Sequence, residues 1–105
     1  FIHGGGFVIG DIGVYHALCS EIAHQLDLPV ISVEYRLAPE HPFPAAPDDC
    51  EAAARWIASS APELGRTATG LVITGDSAGG NLTIVTTNAL ANDPAAVPVL
   101  VQAPI

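Results

Sequence analysis

Short β-branched and aliphatic runs that alternate with stretches of helical periodicity constrain this chain more than any other feature. Phe1-Ile2 reads as the stub of a strand and leads into a glycine-rich loop over residues 4–13. Across residues 15–26 the apolar positions are Tyr15, Leu18, Cys19, Ile22, Ala23 and Leu26, the i, i+3, i+4 recurrence of one buried helix face. Pro29 ends that segment, and Val30-Ile31-Ser32-Val33-Glu34-Tyr35 has the β-branched character of a strand. Residues 36–47 carry Pro39, Pro42, Pro44 and Pro47, which predicts an irregular, stiff loop. Pro47-Asp48-Asp49 is a helix opening: proline suits the first turn, and two carboxylates complement the positive end of the helix dipole. This helix is expected to run to about Ser59, with Cys50, Ala53, Ala54, Ile57 and Ala58 inward. Leu71-Val72-Ile73-Thr74 reads as another short strand, apolar almost throughout, as for a strand covered on both faces. A turn over residues 75–79 leads into a helix from Ala78 to about Ala91. Asn92-Asp93-Pro94 stops it, and residues 97–102 supply a last strand.

The order is therefore β-α-β-α-β-α-β. Strands joined by helical crossovers lie parallel, so the expected fold is α/β, an open, mostly parallel sheet with helices on both faces. In such sheets ligands bind beyond the carboxyl ends of the strands. Both glycine-rich loops, after Ile2 and after Thr74, fall at that edge.

Composition narrows the function. The chain has 105 residues, 50% of them hydrophobic and 13% charged, which suits one core-forming domain at most. Its net charge is −8, from 11 acids against Arg36, Arg55 and Arg66, with no lysine. Nucleic acid and anionic membrane surfaces both require clustered cations, so neither is an expected partner. No apolar run approaches the roughly 20 residues that span a bilayer. His3, His16, His24 and His41 lack metalloprotease spacing, and Cys19 and Cys50 form no C-x-x-C pair. Free buried thiols are expected rather than a disulfide, and a zinc site has no support. The sequence opens at Phe1 without methionine, as though cut from a longer chain, so location is unreadable from its start and the cytoplasm is the default expectation.

Gly75-Asp76-Ser77-Ala78-Gly79 matches G-x-S-x-G between an expected strand and an expected helix, the context of a nucleophile elbow. A serine at the apex of so sharp a turn takes a strained backbone conformation. Side chains at Gly75 and Gly79 would strike the neighbouring backbone, and Gly80 relaxes the crowding further. The hydroxyl of Ser77 is pushed out of the sheet while the following helix aims free N–H groups at it. The competing reading is a glycine-rich turn with an incidental serine. Asp76 is read as a structural hydrogen-bonding residue, because it adjoins Ser77 and cannot reach around to orient a histidine.

His3-Gly4-Gly5-Gly6 follows a strand and offers the N–H groups of Gly5 and Gly6, with that of Ala78 as a third donor, for a tetrahedral oxyanion. Glycine lets backbone approach a reacting carbonyl closely. His3 is read as bracing the loop rather than as the catalytic base. A phosphate cradle is the rival. Gly5 and Gly10 stand at the P-loop interval, but Asp11 occupies the lysine position, and Ile9 replaces the last glycine of a dinucleotide motif.

Together, His3-Gly4-Gly5-Gly6-Phe7, Tyr35-Arg36-Leu37-Ala38-Pro39-Glu40 with His41-Pro42-Phe43-Pro44, and Gly75-Asp76-Ser77-Ala78-Gly79-Gly80-Asn81 resemble the hormone-sensitive-lipase-like carboxylesterases of the α/β-hydrolase fold. The likeness covers essentially the whole chain. It implies a partial α/β-hydrolase catalytic domain over residues 1–105, from the oxyanion loop to just past the elbow. It also implies hydrolysis of small-molecule carboxylic esters, short to medium in acyl chain, without metal or cofactor. The implied roles are Ser77 as nucleophile and Gly5, Gly6 and Ala78 as oxyanion donors, with His3, Gly4, Gly75, Asp76 and Gly79 supporting the motifs. Arg36 is expected to pair with a nearby acid. In the family an acid and a histidine follow the serine, whereas every histidine here precedes Ser77, and the family's cap is missing. The 105 residues alone are therefore expected to turn over poorly, and the exposed sheet edge to favour aggregation. A non-catalytic small-molecule receptor on the same scaffold, and an amidase or peptidase, are the alternatives. Oligomeric state has no signature in the sequence.

Overall fold

A computed structural model describes residues 1–105. Three helices are present: α1 (His16–Leu26), α2 (Ala45–Ala58) and α3 (Ala78–Asn92). Two strands form a continuous ladder, β1 (Leu71–Gly75) and β2 (Val99–Pro104), and a short 3₁₀ turn covers Pro62–Leu64.

The two earlier strand segments reach the sheet through single bridges. Ile2 bridges Val33 on one side and Gly75 on the other, both in the parallel sense. The spatial order is thus Val33, Ile2, β1, β2, all parallel. Residues 30–35 were expected as a full strand. Their partner, Phe1-Ile2, supplies only two residues before the chain turns away, and a ladder is no longer than its shorter strand. Within that limit the pairing is well made: Ile2 N–H donates to the Thr74 carbonyl (2.9 Å) and Val33 N–H to the Phe1 carbonyl (3.0 Å). The last strand lies two residues later than the sequence suggested. Its register pairs Gly75 with Pro104, and Ile105 N–H continues onto the Gly75 carbonyl at 2.9 Å.

Helix α2 also begins earlier than expected. Asp48 N–H already donates to the Pro44 carbonyl at 3.0 Å, so the opening is Pro44-Ala45-Ala46 and Pro47 stands third. Proline is tolerated there because the first four N–H groups of a helix have no intrahelical acceptor. The small side chains of Ala45 and Ala46 are buried, and Asp48 still lies in the first turn.

The core joins α2, α3 and the sheet. Ile2, Tyr35, Cys50, Ala54, Leu71, Ile73, Leu82 and Leu90 belong to one buried cluster. Helix α3 packs on β1, β2 and α2. Right-handed crossovers place α1, which leads leftward from Ile2 to Val33, on the opposite face from α2 and α3, which lead rightward. α1 is correspondingly isolated. Of its expected buried face only Cys19 is buried, while Leu18 and Leu26 are 48% and 61% exposed, because no second helix lies beside it. The full two-sided cover expected for residues 71–74 is likewise absent. Val72 and its ladder partner Val101 lie side by side, 54% and 51% exposed, on the face that α2 and α3 do not cover. Cys19 and Cys50 are free and buried, and burial pushes the Cys50 thiol up to about 12. No helix is long and apolar enough to cross a membrane.

Candidate active site

The turn from β1 into α3 carries Ser77 at φ 52°, ψ −118°. A positive φ is uncommon for a residue with a β-carbon and marks stored backbone strain. The side chain of Ser77 is exposed, whereas Gly75, Ala78, Gly79 and Gly80 around it are buried. Space, not φ, requires the flanking glycines. A methyl group at Gly75 would stand 2.6 Å from the Gly79 carbonyl oxygen and collide with that of Ile2. At Gly79 it would collide with the Ile2 carbonyl and lie 2.8 Å from that of His3. All these obstacles are backbone, so none can swing aside. The turn is closed by Gly79 N–H onto the Asp76 carbonyl (2.7 Å) and by Ser77 N–H onto the Ile105 carbonyl (3.0 Å).

The loop leaving Ile2 runs beside this elbow. Gly5, Gly6 and Phe7 take φ values of 129°, 62° and 67°, a left-handed run that turns successive peptides. Four of its carbonyls are occupied from within the protein. His3 O accepts from the Tyr35 hydroxyl at 2.6 Å, Gly4 O from His3 Nδ1 at 2.7 Å, and Phe7 O from Ala38 N–H at 2.8 Å. Gly5 O accepts from Val8 and Ile9 N–H at 3.1 and 3.0 Å. The N–H groups of Gly5 and Gly6 take no part in these bonds. With the carbonyls of His3, Gly4, Gly5 and Phe7 engaged and the N–H groups of Gly5 and Gly6 free of partners, the loop presents positive potential at those two donors, which suits an oxyanion.

Gly4 N–H donates to Asp76 Oδ1 at 3.1 Å, which joins loop and elbow directly. Gly5 is one residue from Gly4 and Ser77 one from Asp76, so the two glycine segments converge at the carboxyl edge of adjacent strands. Their helices, α1 and α3, depart to opposite faces, which makes this the topological switch point of the sheet. The nine residues singled out in the sequence, His3 through Gly6 and Gly75 through Gly79, all lie at this junction.

His3 is completely buried, stacked on the Tyr35 ring at 4.3 Å and 17°. Its Nδ1 bonds a carbonyl, an acceptor only, so Nδ1 carries the proton. Nε2 has no hydrogen-bond partner and lies 3.9 Å from Glu34 Oε1. A side chain so enclosed braces the loop and has no path to Ser77. Gly10, considered in the sequence only against a phosphate motif, closes the other side of the imidazole. At φ 99° it lies where a methyl group would stand 2.8 Å from His3 Nδ1.

Two braces were not legible individually, and a third, at Arg36, was expected. Tyr35 is buried, holds the His3 carbonyl, and has its phenol pushed up to about 12 by burial. Tyr15, expected only as a helix-face residue, donates its hydroxyl to Asp76 Oδ2 at 2.8 Å. Arg36 does pair with an acid: Asp49 accepts from its Nη2 at 2.9 Å and from its backbone N–H at 2.8 Å. That guanidinium holds the Asp49 carboxyl below its usual range, and the carboxylate raises Arg36 in turn. The pair fixes the end of residues 30–35 to the start of α2, just before Ala38 reaches Phe7. Two cavities, of about 370 and 520 Å³, lie under α1 and beside residues 31–36, and neither is lined by Ser77.

The sequence profile of a family described as having the alpha/beta hydrolase fold matches residues 1–104. The chain is 49% identical over 82 residues to Lipase 2 of a Moraxella species, covering 78% of this chain and 19% of that protein. It is 41% identical over 102 residues to Carboxylesterase NlhH of Mycobacterium tuberculosis, covering 97% of this chain and 32% of that one. The solved structure of a hyperthermophilic esterase from the archaeon Pyrobaculum calidifontis superposes with a TM-score of 0.91 at 41% identity, covering 98% of this chain and 33% of the other. The chain therefore spans a third or less of the length of these relatives. It belongs to this family with the alpha/beta hydrolase fold, and its likeness to proteins named lipase, esterase and carboxylesterase agrees with the hormone-sensitive-lipase-like resemblance of its glycine motifs.

Proposed function

We propose that this chain carries the nucleophile and oxyanion hole of a serine carboxylesterase. The observation that carries the reading is the Gly4–Asp76 bond, which sets an exposed, strained Ser77 beside a loop with unused N–H donors. Similarity to proteins named lipase, esterase and carboxylesterase supports the ester as substrate class.

In this mechanism Ser77 Oγ attacks the ester carbonyl and the negative charge moves to the carbonyl oxygen, which accepts from Gly5, Gly6 and Ala78 N–H. Ala78 is the first residue of α3, where N–H groups lack intrahelical acceptors. Collapse of the tetrahedral species expels the alcohol and leaves an acyl-serine, which water then cleaves to the acid. The base that takes the serine proton and returns it to the alcohol is a histidine, oriented by an acid, from sequence outside residues 1–105. His3 is enclosed, and His16, His24 and His41 make no hydrogen bond to Ser77. Residues 1–105 are thus part of a catalytic domain, and small-molecule esters of short to medium acyl chain are the substrates.

The test is hydrolysis of a series of nitrophenyl esters by the full-length gene product and by residues 1–105. Full-length protein should turn over, Ser77→Ala should lower kcat by at least about 1,000-fold, and the 105-residue chain should stay near background. Saturable ester binding with no turnover would instead identify a receptor, and preferential cleavage of anilides an amidase.

A further inference from the structure

Glycine at position 4 is not explained by the oxyanion hole. Its φ is not positive, and its N–H is already committed to Asp76. What requires glycine there is the close approach of Asp76, whose backbone carbonyl oxygen would lie 2.9 Å from a methyl group, together with a convergence of side chains. A methyl group on Gly4 would stand 2.7 Å from Asp76 Oδ2 and 3.2 Å from Tyr15 Oη. Asp76 meanwhile divides its carboxylate, Oδ1 accepting from Gly4 N–H at 3.1 Å and Oδ2 from the Tyr15 hydroxyl at 2.8 Å. The Tyr15 ring is itself held, tilted against Phe1 at 5.5 Å and against His3 at 5.8 Å.

We infer that Tyr15 is a positioning residue of the reaction: its hydroxyl fixes the Asp76 carboxylate, which in turn sets the Gly4 peptide and the register of the Gly5 and Gly6 N–H groups against Ser77. This rests on the serine esterase reading above and extends it to a residue outside the glycine motifs. The physical reason is geometric. A carboxylate on Cβ of Asp76 is free to rotate about its last torsion, and a single bond to Gly4 leaves that freedom in place. A second bond, from a phenol anchored in an aromatic stack, removes it. The phenol is shifted up from its ordinary value, chiefly by its bond to Asp76, as expected when its proton is what makes the contact. Because Gly5 and Gly6 act on charge present only in the transition state, loosening them lowers kcat and leaves KM nearly unchanged.

The test compares Tyr15→Phe, Asp76→Ala, Asp76→Asn and Tyr15→Phe/Asp76→Ala in the full-length gene product, with kcat and KM on one nitrophenyl ester and amide exchange at Gly4 followed by NMR. Tyr15→Phe should lower kcat about 10- to 100-fold, hold KM within about threefold, and speed exchange at Gly4. Asp76→Ala should do more. The double variant should be no worse than Asp76→Ala, because both act along one chain of contacts. Asp76→Asn should keep most activity, its oxygen accepting from Gly4 and its amide donating to the Tyr15 oxygen. Unchanged kcat and unchanged Gly4 exchange in Tyr15→Phe overturn the inference, as does a double variant whose losses multiply. If wild-type turnover is unaffected by Ser77→Ala, the serine reading itself falls. Gly4 exchange in Tyr15→Phe then still decides whether the clamp exists.

Discussion

Two glycines of similar composition and opposite circumstance define what a single residue contributes here. Gly65 has φ 68° with open space around it, so a methyl group meets only backbone strain. Gly79 has no such φ, but a methyl group there meets the carbonyls of Ile2 and His3. Gly65→Ala should cost about 1–2 kcal/mol, the penalty of a left-handed residue. Gly79→Ala should cost at least about 3 kcal/mol, since backbone cannot repack as a side chain does. Equilibrium urea unfolding of the full-length gene product separates them; equal costs would mean that the elbow and the Ile2 segment are not pressed together. The motif announced which positions are glycine. It did not announce that the atoms in the way belong to a segment over 70 residues earlier, because that contact exists only once Ile2 lies beside β1.

Between elements, the Arg36–Asp49 pair ties the exit of residues 30–35 to the first turns of α2. Its strength is limited by exposure, since surface ion pairs are weakened by solvent. The depressed Asp49 carboxyl has a definite pH signature. A carboxylate with a folded pKa below its unfolded value, about 3.9, stabilises the fold above that value and ceases to do so as pH falls through the folded one. The stability advantage of wild type over Asp49→Asn should therefore be constant from neutral pH down to about 5 and shrink below about 4. Acid-range urea titrations of the two proteins check this, and an advantage that grew on acidification would contradict the assignment. Helical periodicity placed α1, α2 and α3 within a few residues, but could not tell which face would find cover. Leu18 and Leu26 carry the pattern of a buried stripe and remain largely exposed, because the crossover sense leaves α1 without a neighbouring helix.

For the whole molecule, the balance of covered and uncovered apolar surface is the governing quantity. Only 22 of 105 residues are buried, while Leu100, Val101 and Ile105 along the β2 edge of the sheet, and Val72 beside them on β1, stand between 51% and 78% exposed. Such an edge pairs readily with another strand, and an apolar face of this kind seeks a partner. Residues 1–105 expressed alone should self-associate at micromolar concentration, detectable by light scattering and by strong binding of a hydrophobic dye. A clean monomer with cooperative urea unfolding would refute this.

Sequence by itself determined the parallel α/β architecture, the two glycine loops at one edge, and Ser77 at the apex of a turn. Each of these follows from local rules: period, crossover connectivity and the spacing of residues that lack a β-carbon. Only the tertiary structure decided that Asp76 reaches Gly4, that Tyr35 and Ala38 occupy carbonyls of the loop, and that the Tyr15 hydroxyl reaches Asp76. Those contacts join residues between 31 and 72 positions apart, and local periodicity holds no information about which distant atoms will come within hydrogen-bond reach of one another.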